Sequence, residues 1–281
     1  MGFLSVVHSD RGIKKNTNQD SVLIKEASTD YGDVMLAVVC DGMGGLAKGE
    51  VASAALIKAF SMWFEVQFPE LLYRRRTADG INRMELENEI NKLILDVNQR
   101  IADHGKISHI AMGTTAAVLL MAEGKYYTMN VGDSRVYKID GQGMTQLTKD
   151  QTFVQKEIDA GRMTPDEARV HPQRNVLLQC VGASEVIIPE FTQGEYKSGE
   201  VYMLCSDGFR HVITEEEFYK LIDPEKMETE RALKDVAVYC TELNKSRQEK
   251  DNISVKLRKV FKINANILIL SIINFYHNIN I

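Results

Sequence analysis

Two runs of consecutive apolar residues are each followed by an aspartate and a glycine. This pattern predicts two buried strands, each with an acidic residue at its end. VMLAVVC leads into Asp41, and VYMLCS leads into Asp207. An unbroken apolar run of this length predicts a buried strand. An ionised carboxylate at the mouth of such a strand is costly unless a cation lies nearby. The other Asp-Gly pairs, at 79–80 and 140–141, have polar surroundings typical of surface turns.

The rest of the chain combines hairpin patterns with long helical stripes. Apolar spacing predicts one helix over 51–63 and a second over 86–101 that ends at Gly105. Short strands are predicted at FLSVVHS, DSVLIKEA and NISVKLRKV, and two hairpins are predicted between 112 and 148, with turns at 123–124 and 140–143. Residues 153–182 are predicted to be helical, with a capping box in TPDE, and helices are also predicted over TEEEFYKLI and 229–246. Hairpins with long amphipathic helices predict a layered α+β domain.

Composition and charge indicate the size of the core and argue against one class of function, nucleic-acid binding. A chain of 281 residues with 44% hydrophobic content can bury a large core, and its net charge of −5 argues against binding to nucleic acid. The four cysteines are scattered, and two of them lie in apolar strand patterns, which predicts buried thiols rather than disulfides. No signal peptide is evident at the N-terminus, so we expect a cytoplasmic location.

Residues 261–281 differ in composition from the rest of the chain. They are rich in Asn and Ile, and their longest apolar stretch is shorter than the roughly 18–20 residues that a membrane span needs. We therefore predict one domain over 1–260 followed by an atypical C-terminal tail. A membrane anchor and a docking peptide are the alternatives for the tail.

Acidic residues recur at the ends of predicted strands and in short loops beside apolar segments. The set is Asp20, Asp41, Asp133, Asp207 and Asp251. Each alone is typical of a turn or a cap, but two carboxylates about 4 Å apart repel by about 4 kcal/mol near a protein surface. If the five converge, they need cations, and all-oxygen ligands select Mg²⁺ or Mn²⁺. Two such ions activate a water for attack on phosphorus. Gly42, having no side chain, would let a backbone carbonyl approach a metal.

Six segments carry a family resemblance: SDRGIKKNTNQDS, VCDGMGG, MGTTAAVLL, VGDSRVY, CSDG and DNIS, in this order. They resemble the motif series of the metal-dependent protein phosphatases of the PPM, or protein phosphatase 2C, type, especially the compact bacterial members. The resemblance covers about residues 3–258. It implies a four-layer α-β-β-α sandwich, in which helix pairs flank two central antiparallel β-sheets. It also implies a flap over 151–182 beside the site.

The resemblance also implies roles for individual residues. Asp41 would bridge two metal ions, and Gly42 would offer its carbonyl oxygen to one of them. Asp207 and Asp251 would complete the shell of the other ion, while Asp20 would hold metal-bound waters.

Further residues would support the site. Asp133, together with Asp207, would bind a third and weaker ion, and Asn252 would orient the site without ligating a metal. Residues 113–115 would be structural.

Three positions depart from the family pattern. Lys15, three residues before Asn18, stands where the family usually has Arg, so it would bind the substrate phosphate without a bidentate grip. Gln19 replaces an acid that commonly precedes Asp20. Met43 stands where some relatives have a His that protonates the leaving group, so the general acid here is either water or a group that the sequence does not identify. The histidines predicted to have surface or core roles are His8, His104, His109, His171, His211 and His277.

The predicted function is hydrolysis of phosphoserine and phosphothreonine in proteins, with two or three Mn²⁺ or Mg²⁺ ions and no covalent intermediate. A non-catalytic binding module and a metal-dependent phosphodiesterase are the alternatives. The expected partners are phosphorylated Ser/Thr proteins and a cognate Ser/Thr protein kinase. We expect a monomer with no membrane span.

Overall fold

The computed structural model describes residues 1–43, 48–74 and 80–261. Its strands are β1 (Gly2–Asp10), β2 (Ser21–Thr29), β3 (Gly32–Cys40), β4 (Ala116–Ala122), β5 (Lys125–Val131), β6 (Arg135–Asp140), β7 (Gly143–Gln146), β8 (Glu190–Glu195), β9 (Val201–Cys205) and β10 (Ile253–Phe261). Its α-helices are α1 (Gly49–Tyr73), α2 (Arg83–Ser108), α3 (Phe153–Asp159), α4 (Pro165–Val170), α5 (Asp207–Arg210), α6 (Glu215–Leu221) and α7 (Glu230–Ser246).

The strands form two antiparallel five-stranded sheets, with the orders β1-β10-β9-β6-β7 and β2-β3-β4-β5-β8. Helices α1 and α2 cover the outer face of the second sheet, and α6 and α7 cover the outer face of the first. The predicted α-β-β-α sandwich is therefore confirmed.

Strand β3 contributes alternate side chains to two layers of the core. Leu36 and Val38 pack with apolar residues of α1 and α2, whereas Met35 and Ala37 pack between the two sheets. Successive side chains of a strand point to opposite faces, so an unbroken apolar run fits a strand that is covered on both sides. The interpretation of VMLAVVC as a buried strand is confirmed.

Two local predictions were wrong. Helix α2 does not end at Gly105 but continues to Ser108, because His109 adopts a left-handed conformation (φ 53°) and its N–H caps the last turn. The segment 153–182 is not helical throughout, since only α3 and α4 are helices and 171–182 is irregular. The capping box at Thr164 is present as predicted.

Some predictions concern residues outside the described ranges. These are the turn glycines at 44–45, most of the basic run 74–76, the turn residue at 79 and the tail after residue 261. Among the helices that the structure does describe, none is long and apolar enough to cross a membrane. All four cysteines are buried and unpaired, as predicted.

Candidate active site

Asp41 directly follows β3, and its backbone is fixed by two threonines that lie directly before β4. Its N–H donates to Thr115 Oγ1 at 3.0 Å, and its carbonyl accepts from Thr115 N at 2.9 Å and Thr114 Oγ1 at 3.0 Å. Because the backbone groups are satisfied by these threonines, the carboxylate is free to project from the strand end. The structural role predicted for 113–115 agrees with these contacts.

Gly42 lies in a close backbone junction. A Cβ atom at this position would come within 2.5 Å of the carbonyl oxygen of Gln19 and of the backbone of Gly49, the first residue of α1. Gly42 N donates to Gln19 O at 3.2 Å. Packing alone therefore requires glycine here, whatever its carbonyl oxygen binds.

Asp207 and Asp251 are brought together by an equally close approach. Asp207 begins the one-turn helix α5, and a Cβ on the next residue, Gly208, would lie 2.2 Å from Asn252 O. Ser206 and Ser254 join the same two segments through a Ser206 N to Ser254 O bond of 3.1 Å and a Ser254 N to Ser206 Oγ bond of 3.1 Å. The segments that carry the two aspartates, at the end of β9 and just before β10, are thus in direct contact.

Asp20 is buried among the same segments. Its Oδ2 accepts a hydrogen bond from Ser206 Oγ at 2.9 Å, while its Oδ1 is buried without a hydrogen-bond partner in the described part of the chain. The preceding loop is held by Asn252, whose Nδ2 donates to Arg11 O at 2.9 Å and Thr17 O at 3.1 Å. Asn252 Oδ1 also accepts from Gln19 N at 2.9 Å. Asn252 therefore connects the loop before Asp20 to the segment that carries Asp251.

Asn18 and Gln19 also make local contacts. Asn18 Nδ2 donates to Ser9 Oγ at 2.7 Å, and Asn18 Oδ1 accepts from Asp20 N at 3.2 Å. Gln19 Nε2 donates to Glu50 Oε2 at 3.3 Å. These bonds tie the loop to β1 and to the first turn of α1.

The five predicted aspartates interact electrostatically at one place. Desolvation by the surrounding protein, and then the charges of Asp20, Asp207, Asp133 and Asp251 in that order, raise the pKa of Asp41 well above its ordinary value. Burial, and then the charges of Asp207 and Asp251, raise the pKa of Asp20 to about 7 against the effect of its serine hydrogen bonds. Like charges held this close destabilise the fold unless a cation compensates them.

Asp133 follows β5 and belongs to the same cluster. Its side chain is buried, and burial followed by the charge of Asp207 raises its pKa to about 7, although Arg210 acts in the opposite direction. Unlike Asp20, Asp133 has a cationic side chain as a direct neighbour, since Arg210 Nη2 lies 3.5 Å from Asp133 Oδ2.

Lys15 contacts the cluster from its rim. Its Nζ lies 2.8 Å from Asp251 Oδ1, and both side chains are about one-third exposed, at 29% and 34%. Although partial burial acts to lower it, the bond to Asp251 raises the pKa of Lys15. The predicted phosphate-binding lysine is therefore paired with a predicted metal ligand.

Two residues that contact the candidate ligands, His211 and Glu249, were not predicted from the sequence as part of the site. His211 lies between Asp207 and Glu249, with Nε2 3.3 Å from Asp207 Oδ2 and Nδ1 3.4 Å from Glu249 Oε2. Glu249 Oε1 also accepts from Lys250 N at 2.7 Å and Asp251 N at 2.9 Å. The pair thus supports both candidate ligands. The sequence does place Asp207 and His211 four residues apart. Residues at this spacing are neighbours only on a helix, and no helix was predicted directly after Asp207.

The donor types in this cluster fit a hard divalent cation. Carboxylate oxygens dominate, and Asp20 Oδ1 and Asp207 Oδ1 are buried acceptors without a protein partner. Within the described ranges, no group of three or more His, Cys, Asp or Glu side chains is already arranged to hold an ion. Asp251 Oδ1 accepts instead from Lys15 Nζ and from Asn252 N, at 2.8 Å each.

Comparison with known proteins adds a family and several relatives. Residues 10–252 match the family model described as protein phosphatase 2C. The serine/threonine protein phosphatase PstP of Mycobacterium tuberculosis is 33% identical over 233 residues, which are 82% of this chain and 41% of the relative. The chain thus spans less than half the length of that protein.

Solved structures agree with the sequence match. The serine/threonine phosphatase Stp1 from Staphylococcus aureus superposes with a TM-score of 0.79 at 27% identity, covering 93% of this chain and 96% of that one. The catalytic domain of PstP in complex with two manganese ions superposes with a TM-score of 0.72 at 29% identity, covering 92% and 99%.

Proposed function

Because this chain belongs to the protein phosphatase 2C family, we propose that it is a metal-dependent phosphatase acting on phosphoserine and phosphothreonine in proteins. The observation that carries the proposal is the cluster of five aspartates from five separate segments of the chain, with two buried carboxylate oxygens left unpaired among the described residues. A binding module would have no need for such a cluster. The manganese ions of the PstP structure support a pair of Mn²⁺ or Mg²⁺ ions.

Each residue has a distinct part in this proposal. Asp41 and the carbonyl oxygen of Gly42 would hold one ion, and Asp41, Asp207 and Asp251 the other. Divalent cations supply activation of water and neutralise charge on the phosphoryl oxygens. Asp20, through its unpaired Oδ1, would accept a hydrogen bond from a metal-bound water. Asp251 would exchange Lys15 for a cation, and Lys15 would then be available to bind the substrate phosphate.

The direct test is phosphate release from a phosphothreonine peptide and from p-nitrophenyl phosphate. We expect hydrolysis in Mn²⁺, loss of activity in excess chelator, and recovery when Mn²⁺ is restored. A phosphotyrosine peptide and bis(p-nitrophenyl) phosphate serve as matched substrates for residue preference and for diesterase activity. Activity that survives chelation would contradict the metal-dependent mechanism, and faster diester cleavage would favour a phosphodiesterase.

The biological setting is also proposed. We place the protein in the cytoplasm, supported by four buried and unpaired thiols that need no oxidising compartment. We propose that it acts as a monomer on proteins phosphorylated by a cognate Ser/Thr kinase. The domain is proposed to cover residues 1–260, with the segment 151–182 as a flap beside the site.

Lys15→Ala is expected to raise the KM for a phosphopeptide by about tenfold, because one charge-assisted hydrogen bond to phosphate is lost. The same change should leave Mn²⁺ binding at least as tight, since Asp251 no longer has to give up an ion pair with Lys15. Steady-state kinetics and calorimetric Mn²⁺ titration measure the two effects.

Lys14→Ala is the matched control for Lys15→Ala, because Lys14 is an exposed neighbour with the same charge. Lys15→Arg should preserve or improve the KM through bidentate contact. An unchanged KM in Lys15→Ala would mean that phosphate is bound elsewhere, and weaker Mn²⁺ binding would mean that Lys15 supports the metal site.

A further inference from the structure

Helix α5 carries a buried arginine three residues after a candidate metal ligand. Arg210 Nη2 donates to the carbonyl oxygen of Asp133 at 2.8 Å and lies 3.5 Å from Asp133 Oδ2. The same nitrogen lies 3.5 Å from Asp150 Oδ2. Only 13% of the Arg210 side chain is exposed, against 9% for each of the two aspartates. The guanidinium therefore fixes both the backbone and the carboxylate of Asp133.

A second arginine keeps Arg210 in this position. Arg135 holds Asp150 with two hydrogen bonds, from Nε at 2.7 Å and from Nη2 at 2.8 Å. The four side chains thus alternate in sign in the order Arg135, Asp150, Arg210, Asp133, and their formal charges cancel. A bidentate arginine–carboxylate pair is geometrically rigid, so Asp150 is held in place, and Arg210 contacts it through the same Nη2 that lies beside Asp133.

This arrangement does not fit a third divalent ion on Asp133. An ion bound there would share one carboxylate with a guanidinium that is already in contact with it. The two cations would repel each other in a largely buried site, where solvent screens them poorly. The candidate ligands of the ion pair differ on this point. Asp207 keeps a buried oxygen with no partner among the described residues. The cationic partner of Asp251, Lys15, is 29% exposed and can move into solvent, whereas the Arg210 side chain is only 13% exposed.

We propose that Arg210 supplies the positive charge beside Asp133 that a third divalent ion would otherwise supply, so that this chain binds two ions rather than three. Arg210 is then a positioning residue that orients Asp133. Asp133 is not a metal ligand. The inference rests on the two-ion site proposed above.

The test counts bound Mn²⁺ by electron paramagnetic resonance and calorimetry, at up to about 5 mM Mn²⁺, above the roughly millimolar range of weak divalent sites. We expect two ions in the unsubstituted protein and in Arg210→Lys, which keeps the charge. Arg210→Gln should remove the cation beside Asp133 and allow a third Mn²⁺ to bind there. The affinity for this third ion should be at least about tenfold higher than in the unsubstituted protein. The double variant Arg210→Gln with Asp133→Asn should return the count to two.

Two further variants keep the inference falsifiable. Arg100→Gln removes a charge from an exposed residue of α2 and should leave the count at two. Asp133→Asn with Arg210 intact should also leave two ions, so this arm gives an answer even if Arg210→Gln fails to fold. Three ions in the unsubstituted protein, or a lower count in Asp133→Asn, would overturn the role of Arg210. No bound Mn²⁺ at all would instead overturn the two-ion site, and the inference with it.

Discussion

Asp41→Asn is expected to lower phosphatase turnover by at least about a hundredfold, since even residues that only support a metal ligand typically cost about 10–100-fold when they are changed. Asp41 is the proposed ligand common to both ions, so the change weakens both sites together. Without metal, the variant should unfold at a higher temperature, because it removes one charge from a cluster that raises the pKa of Asp41 well above its ordinary value.

Kinetics at saturating Mn²⁺, calorimetric metal titration and thermal unfolding in chelator measure these three effects of Asp41→Asn. Asp96→Asn is the matched control, because Asp96 is an exposed acid of α2 whose side chain is 65% accessible. Near-normal turnover in Asp41→Asn would remove Asp41 from the metal site. A lower unfolding temperature in chelator would mean that its carboxylate is needed for folding.

Lys256→Met is expected to stabilise the protein, by at most about the 1–4 kcal/mol found when a whole buried ion pair is replaced by apolar side chains of similar volume. Lys256 lies on β10 between the two sheets and is fully buried, and its Nζ contacts Met35 Sδ at 3.3 Å. Burial, and then the charge of Arg258, lower the pKa of Lys256 far below its ordinary value, and Glu26 compensates only in part.

The pH dependence of unfolding gives Lys256→Met a second readout. A lysine whose pKa is lowered by folding binds more protons in the unfolded state, so the stability of the unsubstituted protein should rise as pH increases toward the ordinary pKa of lysine. That rise should be smaller in Lys256→Met. Chemical denaturation from neutral to alkaline pH measures it, with exposed Lys197→Met as the control. A destabilised variant with an unchanged pH slope would show that the amine makes a favourable buried contact.

The layers of the fold were predictable because they rest on local periodicity. Apolar alternation and helical spacing located nine of the ten described strands and the four long or well-capped outer helices α1, α2, α6 and α7. Strand β8 was missed because EFTQGE is polar and short, and only its pairing with β5 makes it a strand. Helix α5 was missed because a single turn has no periodicity to detect.

In the candidate site, too, residues marked by a local pattern were predicted and residues that act through distant contacts were not. The aspartates were found because each follows or precedes a strand pattern that is visible in the sequence. Arg210, His211 and Glu249 were not found, since each acts through partners on distant segments. Arg210, for example, contacts Asp133, which is 77 residues away. Local sequence gives no sign of such a contact, because it is created by the packing of β6 beside β9.

The antiparallel pairing of β1 with β10 has a consequence for synthesis on the ribosome. Strand β10 follows Asp251 and supplies the partner strand for β1 along its whole length, from Gly2 opposite Phe261 to Asp10 opposite Ile253. While β10 and the residues just before it are still inside the ribosome, the emerged chain lacks Asp251, a proposed metal ligand, and also lacks the partner strand of β1. Domains fold largely as units during synthesis, so the metal centre and the first sheet must be completed in one late event. A partly made chain would therefore carry no premature phosphatase activity.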